Sequence, residues 1–143
     1  MRKVLVAFDG SEHSKRALQY VIDFIHDGVR PLEVHALNAQ HEPALYGGYL
    51  TASMIEEFKG SSLVKAHSVL EEAAAKLQAA GIAYELHAVL GNVAEQVNEA
   101  VKRLGCDTVV MGTRGLGSFG GLLLGSVANR VIHEVSVPVV LVK

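Results

Sequence analysis

The chain of 143 residues contains one cysteine, three prolines and no tryptophan. A lone cysteine, Cys106, excludes an internal disulfide bond and is typical of a reducing compartment. We therefore expect a cytoplasmic protein in which Cys106 packs in the interior rather than reacting. No apolar stretch approaches the length of about 18 residues that a membrane-spanning helix needs. The first residues lead directly into an apolar strand pattern, without the layout of a cleavable signal.

A large charge excess is also missing, because 13 basic residues face 15 acidic ones and the formal net charge is −2. Proteins that bind nucleic acid or anionic membranes through general electrostatics carry a basic surface, so we expect neither partner. Half of the residues are hydrophobic and a fifth are charged, which is typical of a globular chain. The length fits one domain, residues 1–143.

Apolar periodicity predicts five strands that alternate with helices. The predicted strands are 3–8, 32–37, 82–90, 107–111 and 138–143. Helices are predicted to begin at the N-caps Ser11 and Asn92, to be clearest over 63–80, and to span 126–135. Continuous apolar runs in the first and fourth strands favour central positions, whereas polar alternation in the third favours an edge. The fold class is therefore α/β: a single open five-stranded parallel sheet in the order 3-2-1-4-5, with helices on both faces.

The glycine distribution is uneven, because six of the 14 glycines lie between Gly112 and Val127. This stretch connects the fourth predicted strand to the last predicted helix. Glycine allows close backbone approach, and the first turn of a helix offers unpaired N–H groups, so the stretch indicates an anion site that typically takes a phosphate.

Two common phosphate motifs do not explain this stretch. A G-x-G-x-x-G pattern occurs at Gly115, Gly117 and Gly120, but the dinucleotide fingerprint belongs after the first strand and needs an acid at the end of the next one. Here the last strand ends in Leu-Val-Lys. A Walker A loop is excluded because no lysine lies between Gly112 and Ser126.

The spacing that fits is G-x2-G-x9-G-[S/T], formed by Gly112, Gly115, Gly125 and Ser126. It resembles the nucleotide loop of the ATP-binding branch of the universal stress protein family. The resemblance extends to V-A-F-D-G-S-E-H-S near the start and to G-S-V-A-N-R-V-I-H-E-V-S-V-P-V-V-L-V-K at the end, and so covers essentially the whole chain. It implies an adenine nucleotide alpha hydrolase-like, Rossmann-like sheet, and ATP or another adenine nucleotide as ligand, with or without Mg²⁺.

The predicted strand order brings two distant stretches together. Ligands of open α/β sheets bind beyond the carboxyl ends of the strands where the order reverses, here between strands one and four. Asp9 follows strand one, and the glycine-rich stretch follows strand four. Asp9 is expected to accept hydrogen bonds from a ribose or an adenine edge, or alternatively to brace a loop or cap a helix. Phosphate is expected to bind backbone N–H groups around Gly112, Gly115, Gly125, Ser126 and Val127.

The resemblance implies further contacts. Ala36 matches a position that contacts adenine through its backbone, and Ala7 and Met111 match apolar positions that flank the base. Arg114 is a candidate partner for phosphate. Many family members carry Ser or Thr where this chain has Ala128, so one hydroxyl contact is missing, which would weaken triphosphate binding or favour AMP or ADP.

Two other segments carry predictions. Residues 38–50 form a long irregular connection, either a flap near the site or an unordered loop. Val137 to Val142 is nearly all apolar at a sheet edge, and such edges are usually covered. Self-pairing of this strand predicts a homodimer, as the family resemblance also implies.

Catalytic and metal-binding residues are not predicted. Phosphoryl transfer needs positioned Mg²⁺ and a group that orients the nucleophile, and Asp9 is the single acid placed at the site. The seven histidines lack metal-ligand spacing, although His35 and His87 fall on the polar faces of adjacent strands and could lie near each other. The predicted function is that of a nucleotide-binding stress-response regulator. A slow ATPase or nucleotide hydrolase, and a dimeric interaction module with weak or no nucleotide binding, stay open as alternatives.

Overall fold

Strands and helices alternate along the chain in the computed structural model, which describes residues 1–28, 30–42, 48–117 and 123–143. The strands are β1 (Lys3–Ala7), β2 (Glu33–Gln40), β3 (Tyr84–Leu90), β4 (Thr108–Gly112) and β5 (Val139–Val142). The helices are α1 (Glu12–Asp27), α2 (Ala52–Ala79), α3 (Val93–Leu104) and α4 (Ser126–Glu134). Ser11 and Asn92 cap α1 and α3 as predicted.

The five strands form one parallel sheet in the order β3-β2-β1-β4-β5, which confirms the predicted topology. The central strand β1 pairs with β2 on one side and β4 on the other, with Val4 opposite both Val34 and Thr108. The reversal of strand order therefore lies between β1 and β4, and the carboxyl ends of these two strands adjoin each other.

Apolar side chains of the sheet pack in two layers. Val4 and Val6 belong to a cluster with α1 and α2, whereas Leu5 belongs to a cluster with α3 and α4. All three are fully buried, which explains why β1 has no polar alternation. Burial of each such side chain contributes about 1.5–3 kcal/mol, so the two layers hold the sheet rigid beneath its carboxyl edge.

Two boundaries differ from prediction by three residues or more. Strand β2 continues three residues beyond Leu37, because β3 pairs with it as far as Gln40 and the buried Asn38 donates from Nδ2 to the Phe8 carbonyl at 2.8 Å. Helix α2 begins at Ala52, capped by Thr51, whereas the pattern was clear only from Leu63. The early turns of α2 are largely exposed and therefore carry no apolar stripe.

The irregular connection is consequently shorter than the predicted 38–50. Its central residues, 43–47, lie outside the described residues, as do 118–122 of the glycine-rich stretch, including Gly120. The flap therefore stays a prediction.

Strand β5 lies at a sheet edge, as predicted. Its four residues are half-buried, with Val140 and Val142 against one layer and Val139 and Leu141 against the other. Among the described helices, none combines the length and apolarity that crossing a lipid bilayer requires.

Candidate functional site

A cavity of about 570 Å³ opens at the carboxyl ends of β1 and β4. Its volume lies in the range of about 300–1,000 Å³ that is usual for small-molecule sites. Its location is the one that the reversal of strand order predicts. Nine sequence-predicted residues line it: Ala7, Asp9, Met111, Gly112, Arg114, Gly115, Gly125, Ser126 and Val127.

The amino end of α4 forms one wall of the cavity through Ser126, Val127 and Ala128. The N-cap is Gly125, with φ −72° and ψ 161°, and no side chain in the described part of the chain caps the helix. The first turn contains no acidic residue. Because the first N–H groups of a helix have no intrahelical partner, they present a partial positive charge to the cavity.

Backbone hydrogen bonds hold the two ends of the glycine-rich stretch together. The Gly125 N–H donates to the Thr113 carbonyl at 2.7 Å, and the Thr113 N–H donates to the Val142 carbonyl at 2.9 Å. The Thr113 hydroxyl also hydrogen-bonds His13 Nδ1 at 3.2 Å. These contacts tie the start of α4 to the end of β4 and to the edge strand β5.

Asp9 braces the loops around the cavity. Its Oδ1 accepts from the Ser11 N–H at 2.9 Å and its Oδ2 accepts from the Leu116 N–H at 3.2 Å. The structure thus displays the loop-bracing role that sequence analysis left open for this residue. A Cβ at Gly115 would lie 2.6 Å from Asp9 Oδ2, so a glycine there allows the loop to approach the carboxylate.

Gly112 is required by packing where β4 meets α1. A Cβ at this position would lie 2.6 Å from His13 Cβ and 2.8 Å from the His13 carbonyl carbon. Distances this short force the backbone to move. The first glycine of the predicted motif therefore brings the end of β4 against the start of α1, beside the cavity.

Arg114 provides a cationic group with an unmet hydrogen bond. Its Nε is buried and has no partner among the described residues, although Arg114 lines the cavity. A buried donor of a charged group without a partner is costly, and an anion in the cavity would satisfy it. The exposed Lys65 of α2 adds a second cation to the lining. The residues present therefore fit a phosphate-bearing ligand.

The structure does not bring Ala36 to the cavity. Ala36 is fully buried in the layer beneath α1 and α2, whereas Leu37 to His41 line the cavity. The assignment fails because β2 is longer than predicted, so its carboxyl end lies farther along the chain. Alternation of Leu37 and Ala39 with Asn38 and Gln40 was a signal that the strand continues.

Sequence reasoning also missed two residues of α2, Lys65 and Val69, that line the cavity. Both come from the middle of a long helix, far in the sequence from either motif. No local pattern distinguishes them from other surface positions, and only the packing of α2 beside β2 brings them to the cavity.

Comparisons with known proteins agree with this architecture. The sequence model of the universal stress protein family matches residues 1–143. A Thermus aquaticus relative, the universal stress protein in QAH/OAS sulfhydrylase 3'region, is 38% identical over 144 residues, covering 99% of this chain and 98% of that protein.

Two solved structures are similar over nearly their whole length. The hypothetical protein MJ0577 has a TM-score of 0.86 at 27% identity, covering 99% of this chain and 95% of that one. A universal stress protein in complex with cAMP has a TM-score of 0.65 at 25% identity, covering 99% and 97%. The chain therefore belongs to the universal stress protein family.

Proposed function

We propose that this protein is a cytoplasmic stress-response regulator that binds an adenine nucleotide, ATP, ADP or AMP, in the cavity between β1 and β4. One observation carries the proposal. The amino end of α4, which no described side chain caps, and Arg114 Nε, which has no partner among the described residues, line one cavity of nucleotide size. Both features favour an anion, and the similar structure in complex with cAMP supports an adenine nucleotide as its source.

The phosphates are proposed to bind at the start of α4. Backbone N–H groups of Ser126 and Val127, the Ser126 hydroxyl and the Arg114 guanidinium are the donors available there. The base is proposed to lie toward the ends of β1 and β2, where Ala7, Met111 and Leu37 give an apolar lining. Asp9 is proposed to accept from the ribose with lone pairs that its two backbone contacts leave available.

A magnesium ion is proposed to accompany a di- or triphosphate, held chiefly by the phosphates and water. Asp9 is the single carboxylate among the described lining residues, and both of its oxygens already accept backbone hydrogen bonds. Mg²⁺ commonly keeps several waters and uses one or two carboxylates together with substrate phosphates, so this lining suits it without a dedicated protein cage.

The first test is the nucleotide content of the purified, untagged protein, read by anion exchange after denaturation. Calorimetric titration with ATP, ADP and AMP, with and without Mg²⁺, follows on the emptied protein. Micromolar affinity corresponds to about 8 kcal/mol. The contacts proposed here support it. If the missing hydroxyl at Ala128 weakens triphosphate binding, Ala128→Ser should raise the affinity for ATP more than the affinity for AMP. Absence of binding at millimolar nucleotide would favour the partner-only alternative.

Arg114→Gln tests the assignment of the phosphate end. We expect ATP affinity to fall about tenfold, or ~1.4 kcal/mol, because a charge-assisted contact is lost. Arg130→Gln is the matched control, since Arg130 lies on α4 but pairs with Glu134 at 2.8 Å and does not line the cavity. Equal affinities in the two variants would contradict the assignment. Phosphate release measured in parallel separates a binding regulator from a slow ATPase.

The protein is also proposed to form a homodimer through Val137 to Val142. The half-buried apolar strand β5 leaves a sheet edge that a second copy can cover. Sedimentation of a monomer at micromolar concentration would contradict this proposal.

A further inference from the structure

A cluster of three metal-ligating side chains lies on the sheet away from the nucleotide cavity. His35 belongs to β2, Glu85 and His87 belong to β3, and none of them lines the cavity. His35 is paired in register with Glu85, and His87 is paired with Leu37. Because Leu37 packs in the layer with α3, alternation places His35 and His87 on that same face.

The three candidate ligand atoms are close to one another. His35 Nδ1 lies 2.9 Å from His87 Nε2 and 3.6 Å from Glu85 Oε2. His87 Nε2 lies 3.9 Å from the same Glu85 oxygen. Zinc bonds of about 2.0–2.1 Å in a tetrahedral arrangement separate neighbouring ligand atoms by about 3.3 Å. The three observed distances lie on either side of this value. Small side-chain movements would therefore let all three atoms bind one ion.

A second carboxylate orients His35. Glu33 Oε1 lies 2.9 Å from His35 Nε2, and Lys3 Nζ lies 3.0 Å from Glu33 Oε1. With Nε2–H donating to Glu33, the Nδ1 lone pair is directed at the other two ligands. This carboxylate–histidine arrangement is the usual outer support of a metal-bound imidazole. With Nδ1 of His35 accepting, the metal-free form has His87 donating from Nε2–H, and a metal ion bound at Nε2 would require the Nδ1–H tautomer of the neutral His87 ring.

Access also suits a metal ion. His35 is 2% exposed and therefore held in place, whereas Glu85 is 65% exposed at the side-chain level and opens the cluster to solvent.

We propose that His35 Nδ1, His87 Nε2 and Glu85 Oε2 bind one divalent transition-metal ion, with Zn²⁺ the best match and water in the fourth position. Two imidazoles and one carboxylate form a zinc ligand set, and a soft thiolate is not required. Such an ion would join the edge strand β3 to β2. The site is independent of the nucleotide cavity, so it stands or falls separately from the proposed function.

The test uses untagged protein freed of metal by chelator, without nucleotide. Titration with Zn²⁺ is expected to show one ion per chain at micromolar affinity or better and a rise in the unfolding temperature. Co²⁺ is expected to give the intense visible absorption of a tetrahedral site. His87→Gln should weaken Zn²⁺ binding at least 100-fold and abolish that absorption. His133→Gln, an exposed histidine on α4, is the matched control and should bind as the parent does.

Three outcomes would overturn the proposal. In the first, the parent binds no Zn²⁺ at micromolar concentration. In the second, His133→Gln loses as much Zn²⁺ affinity as His87→Gln, and in the third, His87→Gln keeps the Zn²⁺ affinity of the parent. If circular dichroism shows that His87→Gln is unfolded, Glu85→Gln decides instead. Glu85 is exposed, so its loss should leave the fold intact while weakening Zn²⁺ binding at least tenfold, and unchanged binding there would overturn the proposal. Gly125→Asp, which alters the nucleotide cavity, should leave Zn²⁺ affinity unchanged.

Discussion

Helices α3 and α4 begin in different ways, although both follow a strand of the same sheet and pack in the same core layer. Asn92 caps α3, its Oδ1 accepting from the Glu95 N–H at 3.3 Å, and Glu95 adds a negative charge to the first turn. Gly125 begins α4 with neither device. Because a helix start is normally satisfied from within the protein, a start of α4 that no described side chain caps supports the proposed phosphate position.

The other described helices extend the contrast. Ser11 and Thr51 cap α1 and α2 through their side-chain oxygens, each accepting an N–H at 3.2 Å. Gly125 has nearly the same backbone conformation as these two caps, so the backbone at this position would accommodate a capping residue. The missing cap at Gly125 therefore reflects the residue present and not the backbone, and it leaves the nine-residue helix α4 dependent on packing and on the proposed ligand.

The largest effect is expected from Gly125→Asp, which gives α4 a capping side chain like that of α3. The new carboxylate would cap α4 and interact with its dipole, adding about 0.3–1 kcal/mol of stability. The same negative charge would occupy the proposed phosphate position, so ATP affinity should fall at least 100-fold, or about 2.7 kcal/mol. Thermal unfolding and calorimetric titration of one preparation measure both effects, which are predicted to have opposite signs.

Gly125→Asn is the control for this change. Asparagine caps α4 without a charge. Gly125→Asn should therefore stabilise the fold about as much as Gly125→Asp does, but it should weaken ATP binding less. If Gly125→Asp binds ATP with an affinity within threefold of the parent, the phosphates do not bind at the start of α4. The missing cap would then have no role in nucleotide binding.

The converse change, Asn92→Ala, removes the cap that α3 has. Loss of an N-cap side chain costs about 1 kcal/mol. The urea midpoint should therefore fall, while nucleotide affinity stays unchanged because Asn92 does not line the cavity. Glu99→Ala, an exposed change within the same helix, is the control and should shift stability by less than about 0.5 kcal/mol. A comparable loss of nucleotide affinity in Asn92→Ala would mean that the two helix starts are coupled.

The contrast also explains what the sequence alone can predict. The buried run of β1 and the cap at Asn92 are local patterns, and the structure confirms both. The spacing of Gly112, Gly115 and Gly125 is also local, and all three glycines line the cavity. Topology then brought Asp9 to the glycine-rich stretch. Ala36 was misplaced because the end of β2 depends on pairing with β3 and on the Asn38 contact to Phe8, which are tertiary effects. Lys65 and the approach of His35 to His87 within 2.9 Å depend on packing in the same way.

The smallest expected effect uses Cys106, which shares the core layer of α3 and α4. Burial raises the pKa of the Cys106 thiol from an ordinary 9.0 to about 11. A raised folded-state pKa contributes stability that is complete below pH 9.0 and is lost as pH rises toward about 11. At pH 8 the native thiol is therefore protonated and buried, and a chromogenic disulfide reagent should label it only when the chain opens.

Nucleotide binding should slow this labelling in the parent by a factor of about 1 + [L]/Kd, because binding favours the closed state. At a ligand concentration equal to Kd, the expected slowing is about twofold. Gly125→Asp, which keeps the same thiol and layer, should show no such slowing. Rapid labelling of the parent at pH 8, whatever the nucleotide concentration, would mean that the core layer opens locally. The start of α4 and the layer beneath it would then be energetically separate, and binding there would not stabilise the whole fold.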